Sequence, residues 1–255
     1  MNTLTVCALG PTPYREGLAI QDALVRARAE NETTDWLVFP DHEPVLTVGR
    51  NPSEGSVRAD AATLAARGIE VFEVPRGGDV TWHGPGQLVG YPVVGLDRVG
   101  RDLHRWLRTL EDTLIGTLAR WDLRAERIAG RTGVWLSGTE KIASIGVAVR
   151  RWVGYHGFAL NVSNDLGAFG LIHPCGLHGI RMTSMAERLG TACPPLAEVR
   201  QAVTAELAAR LGFEEVLTAT AADCRRLSGI VRHADTSQVT PLAAGFPIPG
   251  GTNTW

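Results

Sequence analysis

Two strand-like segments separated by only three residues constrain the fold of this 255-residue chain more than any other feature. Residues 141–149 and 153–162 are rich in β-branched and apolar side chains, and Arg150 and Arg151 lie between them. So short a connection joins antiparallel neighbours, because parallel strands need a crossover of a dozen or more residues. The sequence therefore predicts a hairpin in an α/β (α+β) fold with a mixed, largely antiparallel sheet, and not a doubly wound parallel sheet.

The remaining periodic segments are consistent with such a sheet flanked by helices. Glycines and Pro85 predict a loop over residues 76–87. Further strands are expected near residues 4–8, 36–39, 45–48, 69–74 and 88–94, and helices near residues 15–30, 61–67, 103–121 and 196–211. We expect one catalytic domain over residues 1–230, followed by a loose tail rich in proline and glycine over residues 231–255.

Composition excludes several classes of protein. Hydrophobic residues make up 44% of the chain and charged residues 20%, so a sizeable core is expected. A net charge of −2 does not suit nucleic-acid binding, and no apolar run reaches the length of a membrane span. The first residues have no basic head and no long apolar run, so an export signal is not expected. Four scattered cysteines then indicate free thiols in a reducing cytoplasm.

Lys141 is the single lysine among 25 basic residues. Arginine serves everywhere else, but arginine cannot replace a compact amine that accepts a proton when it is buried. Strand alternation puts Lys141 at the head of an apolar face with Ala143, Ile145 and Val147, where burial favours the neutral amine. The alternative is a surface lysine whose amine reaches water over its methylene stem.

Cys175 lies between Pro174 and Gly176, on a predicted turn with an accessible backbone. It is a candidate nucleophile if a nearby base takes its proton, and Lys141 or a histidine could be that base. Two alternatives are a Cys–His dyad and a metal site made of His173, Cys175 and His178. No CxxC or HExxH pattern supports the metal site, so no metal is expected.

Two further histidines, His83 and His156, each precede a glycine. This arrangement is typical of side chains that line a cleft, and also of hydrogen-bonded structural histidines. The glycines of residues 76–87 raise the possibility of a phosphate loop, but neither GxGxxG nor a GK[ST] ending is present. The same glycines also suit the close approach of a long, thin ligand to the backbone.

Four segments together resemble the lipoyl(octanoyl) transferases. These segments are RGGDVTWHGPGQLVGYP at 76–92, EKIASIGVAV at 140–149, HGFALNV at 156–162 and IHPCG at 172–176. The resemblance implies a fold like the catalytic domains of biotin and lipoate protein ligases, with Cys175 as acyl-thioester nucleophile and Lys141 as the group that lowers its pKa. The implied acyl pocket comprises Arg76, Gly77, Gly78, Asp79, Val80, Thr81, Trp82, His83, Ser144, Ile145, Gly146, Gly157, Phe158 and Ala159.

The resemblance also implies the reaction and its partners. Octanoyl would pass from octanoyl-acyl carrier protein to one lysine of a lipoyl domain, in 2-oxoacid dehydrogenase complexes or the glycine cleavage H protein. No cofactor is expected, because one thioester replaces another. Two alternatives stay open, namely an ATP-dependent lipoate or biotin ligase and a non-catalytic module that binds an acyl carrier.

Overall fold

The computed structural model of the protein describes residues 2–173 and 179–227. Within these residues, nine strands form a large sheet and three form a small one. The strands are β1 (Thr3–Pro11), β2 (Asp35–Asp41), β3 (Val45–Val48), β4 (Glu70–Glu73), β5 (Val80–His83), β6 (Gln87–Gly95), β7 (Glu126–Ile128), β8 (Arg131–Ser137), β9 (Glu140–Arg150), β10 (Val153–Asn161), β11 (Arg181–Met182) and β12 (Glu215–Ala219). The α-helices are α1 (Tyr14–Ala29), α2 (Ala61–Ala66), α3 (Leu103–Ala119), α4 (Met185–Leu189), α5 (Leu196–Leu211) and α6 (Ala221–Leu227).

The large sheet is mixed and mainly antiparallel, which confirms the predicted fold class. Its order is β12-β1-β2-β6-β10-β9-β8-β7, and β11 adds a short parallel pairing to β9. The first three strands run parallel, and every pairing from β2 to β7 is antiparallel. The predicted hairpin is β9–β10, and its turn residues are Arg151 and Trp152, both with positive φ.

Helices cover both faces of the large sheet, and strand alternation assigns side chains to each face. On β2, Leu37 and Phe39 belong to the core beneath α3 and α5, whereas Trp36 and Val38 belong to the core beneath α1. All nine residues of β6 are buried, as expected for a strand covered on both faces. This layering places β6, β9 and β10 at the centre of the molecule.

The pairing of β10 with β6 is interrupted at Pro92. Gly154 pairs with Val94 and Phe158 with Gly90, while the residues between them are unpaired in this ladder. Proline has no N–H to donate, so the ladder is broken at this point, although β10 stays paired with β9. His156 takes φ +56°, and its N–H donates to Gln21 Oε1 of α1 at 2.9 Å. His156 and Gly157 are both buried.

The small sheet corrects one prediction. Residues 76–87 were expected to be a loop, but Val80–His83 form β5, which pairs antiparallel with β3. Glycines flank the segment, yet Val80, Thr81 and Trp82 have side chains that favour strands. The predicted strands at 36–39 and 45–48 both form, in different sheets.

The predicted C-terminal tail lies outside the described residues, so the assignment of one domain over residues 1–230 stays a prediction. In the part of the chain that the structure describes, no helix combines the length and apolar character needed to span a bilayer.

Candidate active site

A cavity of about 320 Å³ lies between the β9–β10 surface and the segment that leads into β5. Twelve of the fourteen residues predicted for the acyl pocket line it: Arg76, Gly78, Asp79, Val80, Thr81, His83, Ser144, Ile145, Gly146, Gly157, Phe158 and Ala159. Gly77 lies beside the lining, and its N–H donates to Val147 O at 2.8 Å. Trp82 packs in the core of the small sheet, 5.7 Å from the Phe169 ring.

Lys141 lines the same cavity. It is only 2% exposed, so its amine does not reach out to water. Its Nζ lies 5.3 Å from the centre of the Trp135 ring, and Trp135 also lines the cavity. The structure therefore places the single lysine of the chain in the same cavity as most of the predicted acyl pocket.

Gly133 of β8 makes room for Lys141. A Cβ added there would lie 2.5 Å from Lys141 Cε and 2.6 Å from Ala143 O, and its φ of +127° also favours glycine. The N–H of Gly133 donates to Oε1 of Glu111 at 3.1 Å. Glu111 is fully buried on α3, and its other oxygen pairs with Arg108. Helix α3 thus fixes the backbone against which Lys141 packs.

Cys175 and His178 lie outside the described residues, but the chain is held on both sides of them. On the N-terminal side, His173 N donates to Ser56 O at 2.7 Å. On the C-terminal side, Met182 pairs with Lys141 in the β9–β11 register, and Thr183 N donates to Lys141 O at 2.9 Å. The chain that follows residue 178 therefore meets β9 at the level of Lys141.

Ser56 also connects that segment to the wall of the cavity. Its hydroxyl lies 2.6 Å from Asp79 Oδ1, which accepts the Val80 N–H at 2.7 Å as well. Ser56 is 1% exposed, and the neighbouring Val57 forms an antiparallel bridge with Ile172. Ser56 thus links Asp79 to the backbone of His173 through two hydrogen bonds.

The opposite end of the cavity is formed by a cluster of aromatic and imidazole side chains, which we call the polar wall. It consists of Tyr14, His42, His83, Tyr91 and His156, whose neighbouring rings lie 5.0–6.5 Å apart. All except His42 line the cavity. His42 lies behind Tyr91 and joins its hydroxyl through Nε2 at 2.7 Å, while its Nδ1 lies 2.9 Å from Thr12 O.

Burial keeps the polar wall uncharged. Desolvation lowers the pKa of His42 to about 4 and the pKa values of His83 and His156 to about 3. Desolvation raises the pKa of Tyr14 to about 12 and that of Tyr91 well above its ordinary value. These histidines are therefore neutral near pH 7, and they lie with Tyr14 and Tyr91, not beside Lys141.

Comparison with known proteins identifies the family. The family model described as "Lipoyl protein ligase A/B catalytic domain" matches residues 13–208. The chain belongs to that family. It is 45% identical to an octanoyltransferase of Geobacter sulfurreducens, over 80% of this chain and 83% of that protein. It is 49% identical to an octanoyltransferase of Geobacter metallireducens, over 76% of this chain and 87% of that protein.

Solved structures show the lipoyl protein ligase A/B fold independently. A lipoate-protein ligase A bound with ATP superposes with a TM-score of 0.71 at 19% identity, covering 92% of this chain and 96% of that one. A bipartite lipoate protein ligase from Thermoplasma acidophilum gives 0.69 at 19% identity, covering 92% and 94%. The resemblance inferred from four short motifs and the ligase-like fold are both confirmed.

Sequence reasoning missed several residues of this cavity. Tyr14, Tyr91 and Trp135 line it, and Gly133 supports Lys141, yet none of them was a candidate. Tyr91 was inside a recognised motif, so membership of that motif was a usable signal. Tyr14 begins a helix far from every motif, and only the folded chain brings it to the cavity. Among the described residues, no group of three or more His, Cys, Asp or Glu side chains is arranged to hold a metal ion.

Proposed function

We propose that this chain transfers an octanoyl group from octanoyl-acyl carrier protein to a lysine of a lipoyl domain, through a thioester on Cys175. Curated relatives at 43–49% identity are named octanoyltransferases, and the chain is accordingly an acyltransferase of protein lipoylation. The observation that carries the proposal is the burial of Lys141 in the cavity that most of the acyl-pocket residues line.

The first half-reaction is a thioester exchange. The Cys175 thiolate attacks the carbonyl carbon of the carrier thioester, the carrier thiolate leaves, and a new thioester forms on Cys175. One thioester replaces another, so the step is nearly balanced and needs no nucleotide. The Lys141 amine takes the Cys175 proton and stabilises the thiolate as its ammonium form, which lowers the pKa of the thiol.

In the second half-reaction, the amine of the acceptor lysine attacks the acyl-enzyme. The amide forms, the Cys175 thiolate leaves, and the proton of the incoming amine passes to the Cys175–Lys141 pair. An amide is more stable than a thioester, so this step drives the overall transfer. In this mechanism one buried amine serves in both proton transfers. We assign the acceptors to lipoyl domains of 2-oxoacid dehydrogenase complexes and the glycine cleavage H protein, and the reaction to the cytoplasm.

One experiment tests the proposal directly. The full chain is incubated with octanoyl-acyl carrier protein without ATP, followed by intact mass measurement and peptide mapping. We expect one octanoyl adduct on Cys175 that neutral hydroxylamine removes. Cys175→Ser should lose that hydroxylamine-sensitive adduct, whereas the matched variant Cys193→Ser should keep it. No adduct on the unmodified chain, or an adduct on another cysteine, would overturn the assignment.

The same assay separates transfer from ligation. A ligase on this fold would modify a lipoyl domain only with ATP and a free acid. We expect the octanoyl-Cys175 enzyme, freed of carrier protein, to modify a lipoyl domain without ATP. Strict dependence on ATP would favour the ligase, and stoichiometric carrier binding without acyl transfer would favour a binding module.

A further inference from the structure

Strand β9 contains one extra residue beside Lys141, opposite β8. Val134 of β8 pairs with Ala143, but the next residue of β8, Trp135, pairs with Lys141. Ile142 therefore has no counterpart on β8 in this ladder. An extra residue of this kind is a β-bulge, which bends the strand locally and changes the direction of the side chains next to it.

The bulge changes which side chains of β9 share a face. Ile142 and Ala143 are neighbours in the sequence, yet both are fully buried in the core beneath α3 and α5. Without the extra residue, strand alternation would place Lys141 in that core with Ala143. In the structure Lys141 lines the cavity, as Ser144 and Gly146 do. The bulge thus accounts for the presence of the lysine in the cavity.

Strand β8 is irregular at the same level on its other side. Its ladder with β7 pairs Arg131 with Ile128 and Trp135 with Glu126, so the two strands shift in register between these pairs. Gly133 lies in the middle of this stretch, is buried and has φ +127°. A buried N–H in an irregular stretch needs an acceptor, because regular ladder bonds are disrupted there.

Glu111 supplies that acceptor from helix α3. Its Oε1 accepts the Gly133 N–H at 3.1 Å, and its other oxygen pairs with Arg108. Glu111 is fully buried, whereas the Arg108 side chain is half exposed. A buried carboxylate is unfavourable unless it is paired and hydrogen-bonded, and Glu111 has both kinds of partner. The bond to Gly133 is therefore a specific feature of the fold.

Gly133 is also the surface on which the Lys141 side chain packs. A Cβ at Gly133 would lie 2.5 Å from Cε and 3.1 Å from Nζ of Lys141. Protein interiors are close-packed, so a shift of Gly133 by about 1 Å would displace the amine or open a gap beside it. Glu111 is therefore connected to the amine through a single residue.

We propose that Glu111 is a positioning residue of the transfer reaction. It holds Gly133 in the irregular stretch of β8, and that stretch maintains the bulge that directs Lys141 into the cavity. This inference rests on the proposed role of Lys141 in octanoyl transfer. The function of Glu111 depends on the reach of its oxygen to Gly133, and not on its negative charge.

Two substitutions separate reach from charge. Glu111→Gln keeps an oxygen at the same length and removes the charge, and the half-exposed Arg108 can turn to water. Glu111→Asp keeps the charge but is one methylene group shorter, so it loses the bond to Gly133. The acylation rate of Cys175 is measured with octanoyl-acyl carrier protein. We expect a rate within about threefold of the unmodified chain for Glu111→Gln, and a loss of at least about tenfold for Glu111→Asp.

A pH profile distinguishes positioning from a general loss of structure. After circular dichroism shows that a variant is folded, alkylation of Cys175 by iodoacetamide is followed over a range of pH by peptide mapping. An amine displaced from the thiol stabilises the thiolate less, so the midpoint of the profile should rise by about one pH unit in Glu111→Asp. The midpoint should not move in Glu111→Gln.

Asp112→Asn is the matched control. Asp112 follows Glu111 on α3, but its carboxylate is partly exposed and pairs with Arg127 at 3.1 Å. This variant should leave both the acylation rate and the pH profile unchanged. If Glu111→Asp does not fold, Glu111→Met fills the same space without an acceptor for the Gly133 N–H, and it should show the same loss.

The outcomes separate this inference from the proposed function. A normal rate and pH profile in folded Glu111→Asp, or an equal loss in Glu111→Gln, would overturn the positioning role and leave octanoyl transfer intact. Absence of an octanoyl adduct on Cys175 of the unmodified chain would overturn the transfer, and the positioning role with it.

Discussion

The two ends of the cavity have opposite chemistry. At one end Lys141 is a single buried amine that packs against Gly133 and Trp135. At the other end the polar wall has several ionisable groups, and burial holds its three histidines neutral. Ionisable residues that line one cavity can therefore have different roles. Hydrogen-bond partners and desolvation hold the residues of the polar wall in place, so they shape the pocket. Lys141 instead lies where the chain that follows residue 178 pairs with β9.

The largest expected effect comes from Lys141→Arg. Guanidinium keeps the positive charge but cannot accept a proton near pH 7, so both proton transfers should fail. We expect Cys175 acylation to slow by about 10²- to 10⁴-fold, measured by rapid quench and mass spectrometry. Arg151→Lys, at the exposed hairpin tip, is the reverse substitution and serves as the control. It should leave the acylation rate unchanged. A rate within about threefold of the unmodified chain would remove Lys141 from the mechanism.

Gly133→Ala tests whether the position of that amine matters as well as its presence. The added methyl group would collide with Lys141 Cε and with Ala143 O. We expect a loss of about 10²-fold in acylation rate and about 1–3 kcal/mol in the free energy of unfolding. Gly138→Ala is a suitable control because nothing lies within 4 Å of its added Cβ. Equal rates for the two variants would show that Lys141 tolerates displacement.

Ser56→Ala tests the connection from the cavity wall to the segment before Cys175. The variant keeps the backbone bond from His173 but removes the hydroxyl that reaches Asp79. We expect acylation to slow by about tenfold while the affinity for an octanoyl donor changes little. Ser163→Ala, on an exposed loop, is the matched control. A change in affinity alone would indicate that Asp79 shapes the pocket and does not position the nucleophile's segment.

Sequence patterns identified the parts of this site that depend on short stretches of chain. The β9–β10 hairpin and α3 follow from periodicity, and Lys141 stood out because no other lysine is present. Strand β5 was missed because its glycine-rich flanks resemble a loop. His83 and His156 of the polar wall were candidates from their sequence context, but Tyr14, His42 and Tyr91 were missed for another reason. The members of the polar wall come from α1, β6 and three other places, and no spacing in the sequence groups them into one cluster before the chain folds.

The smallest expected effect concerns the neutral histidines and is read from stability, not activity. In the folded chain the pKa of His156 is about 3, against an ordinary value of 6.5. Between these values the unfolded chain binds the proton and the folded chain does not. The contribution of neutral His156 to the free energy of unfolding is therefore fully present above pH 6.5. It decreases as pH falls toward 3, by up to about 1.4 kcal/mol per pH unit.

His42 and His83 add to the same slope, because their pKa values are lowered in the same direction. His156→Asn removes one of the three contributions, and asparagine tolerates the positive φ at this position. Urea unfolding at about pH 7, 6 and 5 should show a shallower decline for the variant, by about 1 kcal/mol per pH unit near pH 5. Parallel curves would mean that the pKa of His156 is not lowered in the folded chain. The polar wall would then gain charge below pH 6.5, and the contrast between the two ends of the cavity would be lost there.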